Sequence, residues 1–250
     1  MDSAGRAQLV ARLRECGEQE LIELLQAELD NIDPETVRTV LLNPYVSTRV
    51  IELILGERRL LSSHEVQRAL ALHSQTPEPR ALNLVPALYW RDLVELGSNA
   101  RVRPRVRLAA DRRLAERLPK LGIGERVAIA RKAGPGVISR LLRDPHLRVI
   151  GALLENPRMT EGLLAPLLHS DEARPEVLAR IAGDRKWGRR YSVRVAIARN
   201  PRAHADTALK LLVYLNKPDL RDLRKDTRLA AAVRRRAGLL LGIDPAESPI

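Results

Sequence analysis

Phenylalanine is absent from the 250-residue sequence, and only two tryptophans and four tyrosines are present. With so few rings, leucine, alanine, valine and isoleucine must fill any core. Aromatic and β-branched residues favour strands, whereas Ala, Leu, Arg and Glu favour helices. The mixture predicts helix nearly throughout. Cys16 is the single cysteine. One thiol excludes an internal disulfide framework and any cysteine-based zinc or iron–sulfur centre. It fits a reduced, cytoplasmic setting. Long apolar runs are missing too. The longest are a handful of residues, such as Leu239-Leu240-Leu241, against the roughly 20 needed to cross a bilayer. Residues 1–12 hold no basic stretch followed by an apolar one, so no secretory signal is read there. These absences predict a soluble protein without a membrane partner.

What is abundant is arginine, alanine and leucine. Apolar residues make up 45 % of the chain, enough to fold and too many for a disordered protein. The net charge is +12, from 43 Lys and Arg against 31 Asp and Glu. Such an excess draws acidic partners from a distance. An arginine-rich bias on solvated helix faces gives the same number.

Three segments share a short rhythm: Ala128-Ile129-Ala130-Arg131-Lys132-Ala133, Ala152-Leu153-Leu154-Glu155-Asn156-Pro157 and Ala196-Ile197-Ala198-Arg199-Asn200-Pro201. Each reads as an apolar helix ending in a polar break. A second apolar helix follows each, over 137–142, 163–168 and 208–215. The breaks are 24 and 44 residues apart, the latter two periods of 22, and Pro175–Ala182 supplies the intervening unit. Proline disfavours α geometry in the residue before it, so Asn-Pro ends a helix, and asparagine tolerates the left-handed region often used there. Pro175 and Glu176 suit the first turn of a helix. Asp206 or Thr207 suits the N-cap of a helix from Ala208. Gly134-Pro135-Gly136 reads as a turn. One such hairpin cannot bury its apolar face alone, so neighbours must cover it. The predicted fold is all-α, an α-solenoid of short helical hairpins.

A longer repeat is the stronger signal. Residues 48–114 align without a gap with 175–241, at a constant offset of 127. Identical pairs include Val50 with Val177, Gly56 with Gly183, Arg58 with Arg185, Val66 with Val193, Asp92 with Asp219 and Val106 with Val233. Each copy is read as a helix ending near Gly56 or Gly183, a loop, a hairpin from Val66 or Val193, then Asp-Leu-x-x-Leu leading to a last basic helix. One continuous array over 1–250 is expected. It comprises a helical cap at 1–40 (Leu21, Leu24, Leu25 and Leu29 at helical spacing), the two copies, shorter units at 115–174 between them, and a frayed tail at 242–250.

The stretch Pro-Glu-Val-Leu-Ala-Arg-Ile-Ala-Gly-Asp at 175–184, followed by Val-Arg-Val-Ala-Ile-Ala-Arg-Asn-Pro at 193–201, resembles the bacterial leucine-rich repeat variant family. That family is similar in appearance to HEAT and armadillo arrays. The resemblance covers about 125–215 and is fainter over 41–114. It implies short paired helices, some of them 3₁₀, in a right-handed superhelix. The family's founding member resembles an iron–sulfur protein with a cysteine cluster ahead of its repeats. This sequence has no such cluster, so no cofactor is carried over. What remains is a scaffold, and a scaffold does not fix function.

Three places are candidates for binding. Tyr89-Trp90-Arg91-Asp92 holds two of the six aromatics. The second copy has Asn216-Lys217-Pro218-Asp219 there, so the shared aspartate reads as a helix cap or first-turn acid. HEAT-like DNA glycosylases use Trp, Asp and Arg on a basic face, which is the functional alternative for Trp90, Arg91 and Asp92. Arg185-Lys186-Trp187-Gly188-Arg189-Arg190-Tyr191 is the densest basic and aromatic loop. It suits base stacking and phosphate neutralisation, or else is solvated with Trp187 plugging the core beneath. The last-helix arginines form clusters: Arg101, Arg103, Arg105, Arg107, Arg112 and Arg113, and Arg221, Arg224, Lys225, Arg228, Arg234, Arg235 and Arg236. Some fall on one stripe able to meet phosphates. Histidines 64, 73, 146, 169 and 204 show no zinc-ligand spacing. No catalytic motif stands out. The expected role is a non-enzymatic scaffold for another protein or peptide, without cofactor. Nucleic-acid binding is the alternative, and a HEAT-like glycosylase the distant one.

Overall fold

The computed structural model describes residues 3–243, so of the tail expected to fray at 242–250 residues 244–250 lie outside the described residues. Among the described residues there is no strand. The chain divides into two compact units, Met1–Lys120 and Leu121–Ile250. The first holds α1 (Ser3–Glu15), α2 (Glu18–Glu28), α3 (Pro34–Val40), α4 (Thr48–Gly56), α5 (Arg58–Leu61), α6 (His64–Leu72), α7 (Glu78–Leu84), α8 (Trp90–Ser98) and α9 (Pro104–Arg117). The second holds α10 (Ile123–Lys132), α11 (Pro135–Leu141), α12 (Leu147–Leu154), α13 (Glu161–Leu168), α14 (Pro175–Ala182), α15 (Tyr191–Arg199), α16 (Ala205–Leu212), α17 (Lys217–Lys225) and α18 (Ala231–Leu240). Single 3₁₀ turns follow α2, α7 and α9.

Helices this short are marginal alone, so packing of their apolar faces must hold them. In the first unit, α1, α3, α6 and α8 pack in succession, as do α2 with α4 and α7 with α9. In the second, α10, α12 and α14 pack in succession, α16 packs on α18, and α11, α13, α15 and α17 form the other succession. Most of these pairs join helices two apart in sequence, while α3 meets α6 past α4 and the one-turn α5. On α2, Leu21 and Leu25 are buried while Leu24 is half-buried, and Leu29 falls in the 3₁₀ turn beyond.

The interval of 127 recurs in the helices. Helices α4, α6, α7, α8 and α9 begin at 48, 64, 78, 90 and 104; α14 to α18 begin at 175, 191, 205, 217 and 231. The buried positions follow: Val50 and Val177, Ile54 and Ile181, Leu70 and Ile197, Leu93 and Leu220, Val106 and Val233. Leu60 and Trp187 also share a buried position. The copies differ locally there, since the one-turn helix α5 is replaced by turns over 184–189.

Asparagine does something other than turn the chain left-handed. Among the described residues no non-glycine residue has positive φ, and Asn200 sits at φ −81°. Instead the side chain is buried and ties helix ends together. The last carbonyls of a helix have no partner within it. The amide of Asn156, fully buried, donates to Ala130 O (2.7 Å) and Ala133 O (3.1 Å) at the end of α10, and its Oδ1 accepts from Arg158 N at 2.8 Å. Asn200 does the same with Leu168 O, Ser170 O and Arg202 N. Asn43 repeats it with Leu13 O, Cys16 O and Tyr45 N. At α12 the indole of Trp187 supplies the donor, to Leu154 O at 2.9 Å. One asparagine thus satisfies three backbone groups at once.

Two other local expectations are corrected. Pro135 is the first residue of α11 with Gly134 as its N-cap, so Gly134-Pro135-Gly136 is a helix start. The turn closed by Ala203 N on Asn200 O (3.0 Å) is short, so α16 starts at Ala205 behind His204; Asp206 lies in its first turn, and neither it nor Thr207 is the N-cap. Pro175 and Glu176 do occupy the first turn of α14.

Candidate functional site

The division at residue 120 gives the net charge a location. Residues 1–120 carry 18 Lys and Arg against 17 Asp and Glu, a net of +1, whereas residues 121–250 carry 25 against 14, a net of +11. A general arginine bias would charge both units alike.

Within the second unit, the link between α14 and α15 is built by two short-range constraints. Asp184 Oδ1 accepts from Lys186 N (2.9 Å) and Trp187 N (3.0 Å), the local bonding that favours aspartate in turns. Gly188 then passes so close to the backbone that a Cβ there would lie 2.0 Å from Ala182 O. Together they send Trp187 inward, where it is 1 % exposed. Lys186 and Arg190 cover its ring, with Nζ 4.6 Å and Cζ 5.0 Å from the centroid. Trp187 is thus core, and its ring is not offered for stacking.

The neighbours of this turn form one cluster. Arg185, Lys186, Arg189 and Arg190 are exposed. Arg190 pairs with Glu161, which also accepts from the Ser192 hydroxyl. That hydroxyl first, and the guanidinium second, hold the Glu161 carboxyl below its ordinary range. Tyr191 donates its hydroxyl hydrogen to Asp219 and accepts from Asn216 N at 3.1 Å. Arg194 Nε donates to Gly188 O at 2.8 Å, and its guanidinium lies 4.2 Å over the ring of Tyr214. Tyr214 is 57 % exposed beside Val213. Tyr191 is exposed too, but its hydroxyl is engaged by Asp219 and Asn216; Tyr214 is the more exposed ring and the one backed by a guanidinium. Sequence reasoning passed it over, although the first copy has Ala87 at that offset, a difference that marks it.

Trp90 and Arg91 lie in the first unit. Trp90 begins α8, and Arg91 Cζ is 5.2 Å from its ring centroid. Asp92, the third residue of α8, accepts from Tyr89 N (3.1 Å), lies 2.7 Å from His64 Nε2 and pairs with Arg68 Nε at 3.1 Å. His64 stacks on Tyr89 with centroids 3.9 Å apart. A cleft of about 340 Å³ opens here, with Arg38 and Glu65 on its wall. A histidine–aspartate pair invites a catalytic reading. Its counterpart argues for structure: Tyr191 and Asp219, at the same offset, make the same link from α15 to α17 with a phenol in place of imidazole. Both carboxylates lie in the first turn of a helix and brace its neighbour, and Asp92 also accepts from its N-cap amide whereas α17 is capped by Asn216.

The basic residues of each last-helix cluster do not all share one helix. Arg101 and Arg103 precede α9, with Arg103 as its N-cap, and Arg105 pairs with Glu78 at 2.9 Å. Arg224 is on α17 with its side chain against Gly238 of α18. Arg228, in the turn, is held by Asp226 through two bonds of 3.0 and 2.8 Å, which lowers the Asp226 pKa. Arg234 is half-buried and Arg235 exposed on α18. Arg228 follows the end of α17 opposite to Tyr214, about 13 Å of helix away. The sequence clusters merged residues that the α17–α18 connection separates.

Among the described residues no three His, Cys, Asp or Glu side chains gather as metal ligands, and no helix is long and apolar enough to cross a membrane. Comparison with protein families, curated proteins and solved structures finds no match for this chain.

Proposed function

We propose that this protein is a non-enzymatic interaction module, a solenoid of stacked helical hairpins of leucine-rich-repeat-variant or HEAT type, whose second unit docks an acidic partner. The observation that carries the reading is the charge division, +11 against +1, between units that share a 67-residue repeat. A shared scaffold with unequal charge places the difference in surface chemistry, where binding lies. The packing of alternate helices over most of each unit, and the asparagine ties, suit a repeat array. The one thiol, buried in Cys16, suits a cytoplasmic setting.

Retention on a polyanionic heparin resin tests it. The whole protein should bind and elute only with added salt. R185A/K186A/R189A should elute earlier, while R49A/R58A/R101A, in the first unit, should elute with the parent. No retention of the parent, or equal shifts from both triple variants, overturns the reading.

A further inference from the structure

The histidine–aspartate cleft of the first unit is accounted for by capping and ion pairing. The group around residues 185–194 and 213–217 differs from the other basic stretches in joining unmatched charges to an exposed ring backed by a guanidinium. Among the described residues no carboxylate pairs with Arg185, Lys186, Arg189, Arg194 or Lys217, although Arg190 and Arg199 nearby are paired. Arg194 is fixed from two sides, by Gly188 O at 2.8 Å and by the Tyr214 ring at 4.2 Å. It therefore holds the phenol ring from one side, while the ring stays 57 % exposed.

We propose that this cluster is a binding site for single-stranded nucleic acid, with Tyr214 as the stacking platform for one base and Arg185, Lys186, Arg189, Arg194 and Lys217 along the phosphate path. The proposal rests on the acidic-partner reading above and names the partner. Every base has a π face, so a ring backed by guanidinium stacks it without regard to sequence. An acidic peptide has carboxylates for the cations and nothing that requires the ring. A lipid surface would call for an apolar insertion face, and Val213 and Tyr214 are the only exposed large hydrophobics in the turn between α16 and α17. A duplex keeps its bases stacked on one another, out of reach of a ring standing on a turn.

The first copy acts as an internal control in the sequence. At the equivalent positions Arg194 is Gln67, Tyr214 is Ala87 and Lys217 is Trp90. The Arg194–Tyr214 stack is peculiar to the second copy, where the charge is; the first copy has Arg91 over the half-buried Trp90 instead.

The test is fluorescence anisotropy of the whole protein with fluorescein-labelled oligo-dT of about 15 nucleotides, a mixed duplex of equal length, and heparin as competitor. Binding to oligo-dT should weaken with salt at a log–log slope of about −3.5, for five phosphates at about 0.7 each. Tyr214→Ala should bind about tenfold more weakly, one base's stacking. Tyr214→Phe should match the parent. R185A/K186A/R189A should bring the slope to about −1.4. Far-UV circular dichroism checks that each variant is folded; Tyr214 is exposed, so its loss leaves the core intact. Equal affinity for duplex and single strand, or no change on Tyr214→Ala, overturns the single-strand assignment. Retention on heparin with no binding of oligo-dT also overturns it and leaves the acidic-partner reading standing. Failure to bind either removes both.

Discussion

Asn156→Ala should cost the second unit about 3 kcal/mol. The side chain is fully buried and makes three bonds, to Ala130 O (2.7 Å), Ala133 O (3.1 Å) and from Arg158 N (2.8 Å). Both carbonyls stand at the end of α10, beyond the reach of its own amides. At about 1 kcal/mol net per bond the sum is about 3 kcal/mol, rising toward about 5 where desolvated groups stay unpaired. Asn156→Asp separates bonding from shape. It keeps the volume and the acceptor but turns a carboxylate toward two carbonyl oxygens, so it should cost at least as much as alanine. Asn31, exposed and bonded only to Glu28, is the control: Asn31→Ala should fall within about 0.5 kcal/mol of the parent. The assay is urea unfolding in a Trp90→Phe background, where the buried Trp187 reports the second unit alone. Losses below about 1 kcal/mol for both Asn156 variants, or an aspartate milder than alanine, would refute the idea that asparagine ties the helices together.

Other expectations follow from single contacts. Gly188→Ala should destabilise by more than about 2 kcal/mol, because its Cβ meets backbone oxygens at 2.0 and 2.8 Å; a red-shifted Trp187 emission and lowered Tm would show it. Gly124→Ala, inside α10 with nothing within 4 Å of the new Cβ, should instead stabilise by about 0.5–1 kcal/mol in thermal melts. Burial lowers the His73 pKa from its ordinary 6.5, so the unfolded chain binds that proton more readily; stability should fall as pH drops below 6.5, and His73→Gln should flatten that part of a stability–pH curve. Burial raises the Cys16 thiol pKa, so iodoacetamide at neutral pH should label it only after denaturation, as intact mass would report.

The repeat was legible because buried positions tolerate few residue types. Val50 and Val177, or Leu93 and Leu220, announce a common core before any coordinates. The helix class was legible in the composition for the same reason. Asparagine's task was not, because its partners are backbone carbonyls 23 to 32 residues earlier in the chain, which no side-chain pattern encodes. Trp187 misled in a similar way. A tryptophan among arginines suggests a surface platform, but Asp184 and Gly188 shape a turn that takes its indole to Leu154 O. The basic residues were each visible, yet counting them over the whole chain hid that nearly all the excess lies beyond residue 120. Tyr214 stood apart only against Ala87, a contrast that matters once Arg194 is seen over the ring.

Hydrogen–deuterium exchange of the whole protein, free and saturated with oligo-dT at low salt, puts the central claim to its most direct trial. Slowed exchange should be confined to residues 184–194 and 213–217, with the equivalent amides at 57–67 and 86–90 of the first copy unchanged. Protection spread alike over both copies, or confined to the first, would contradict the assignment of binding to the charged unit.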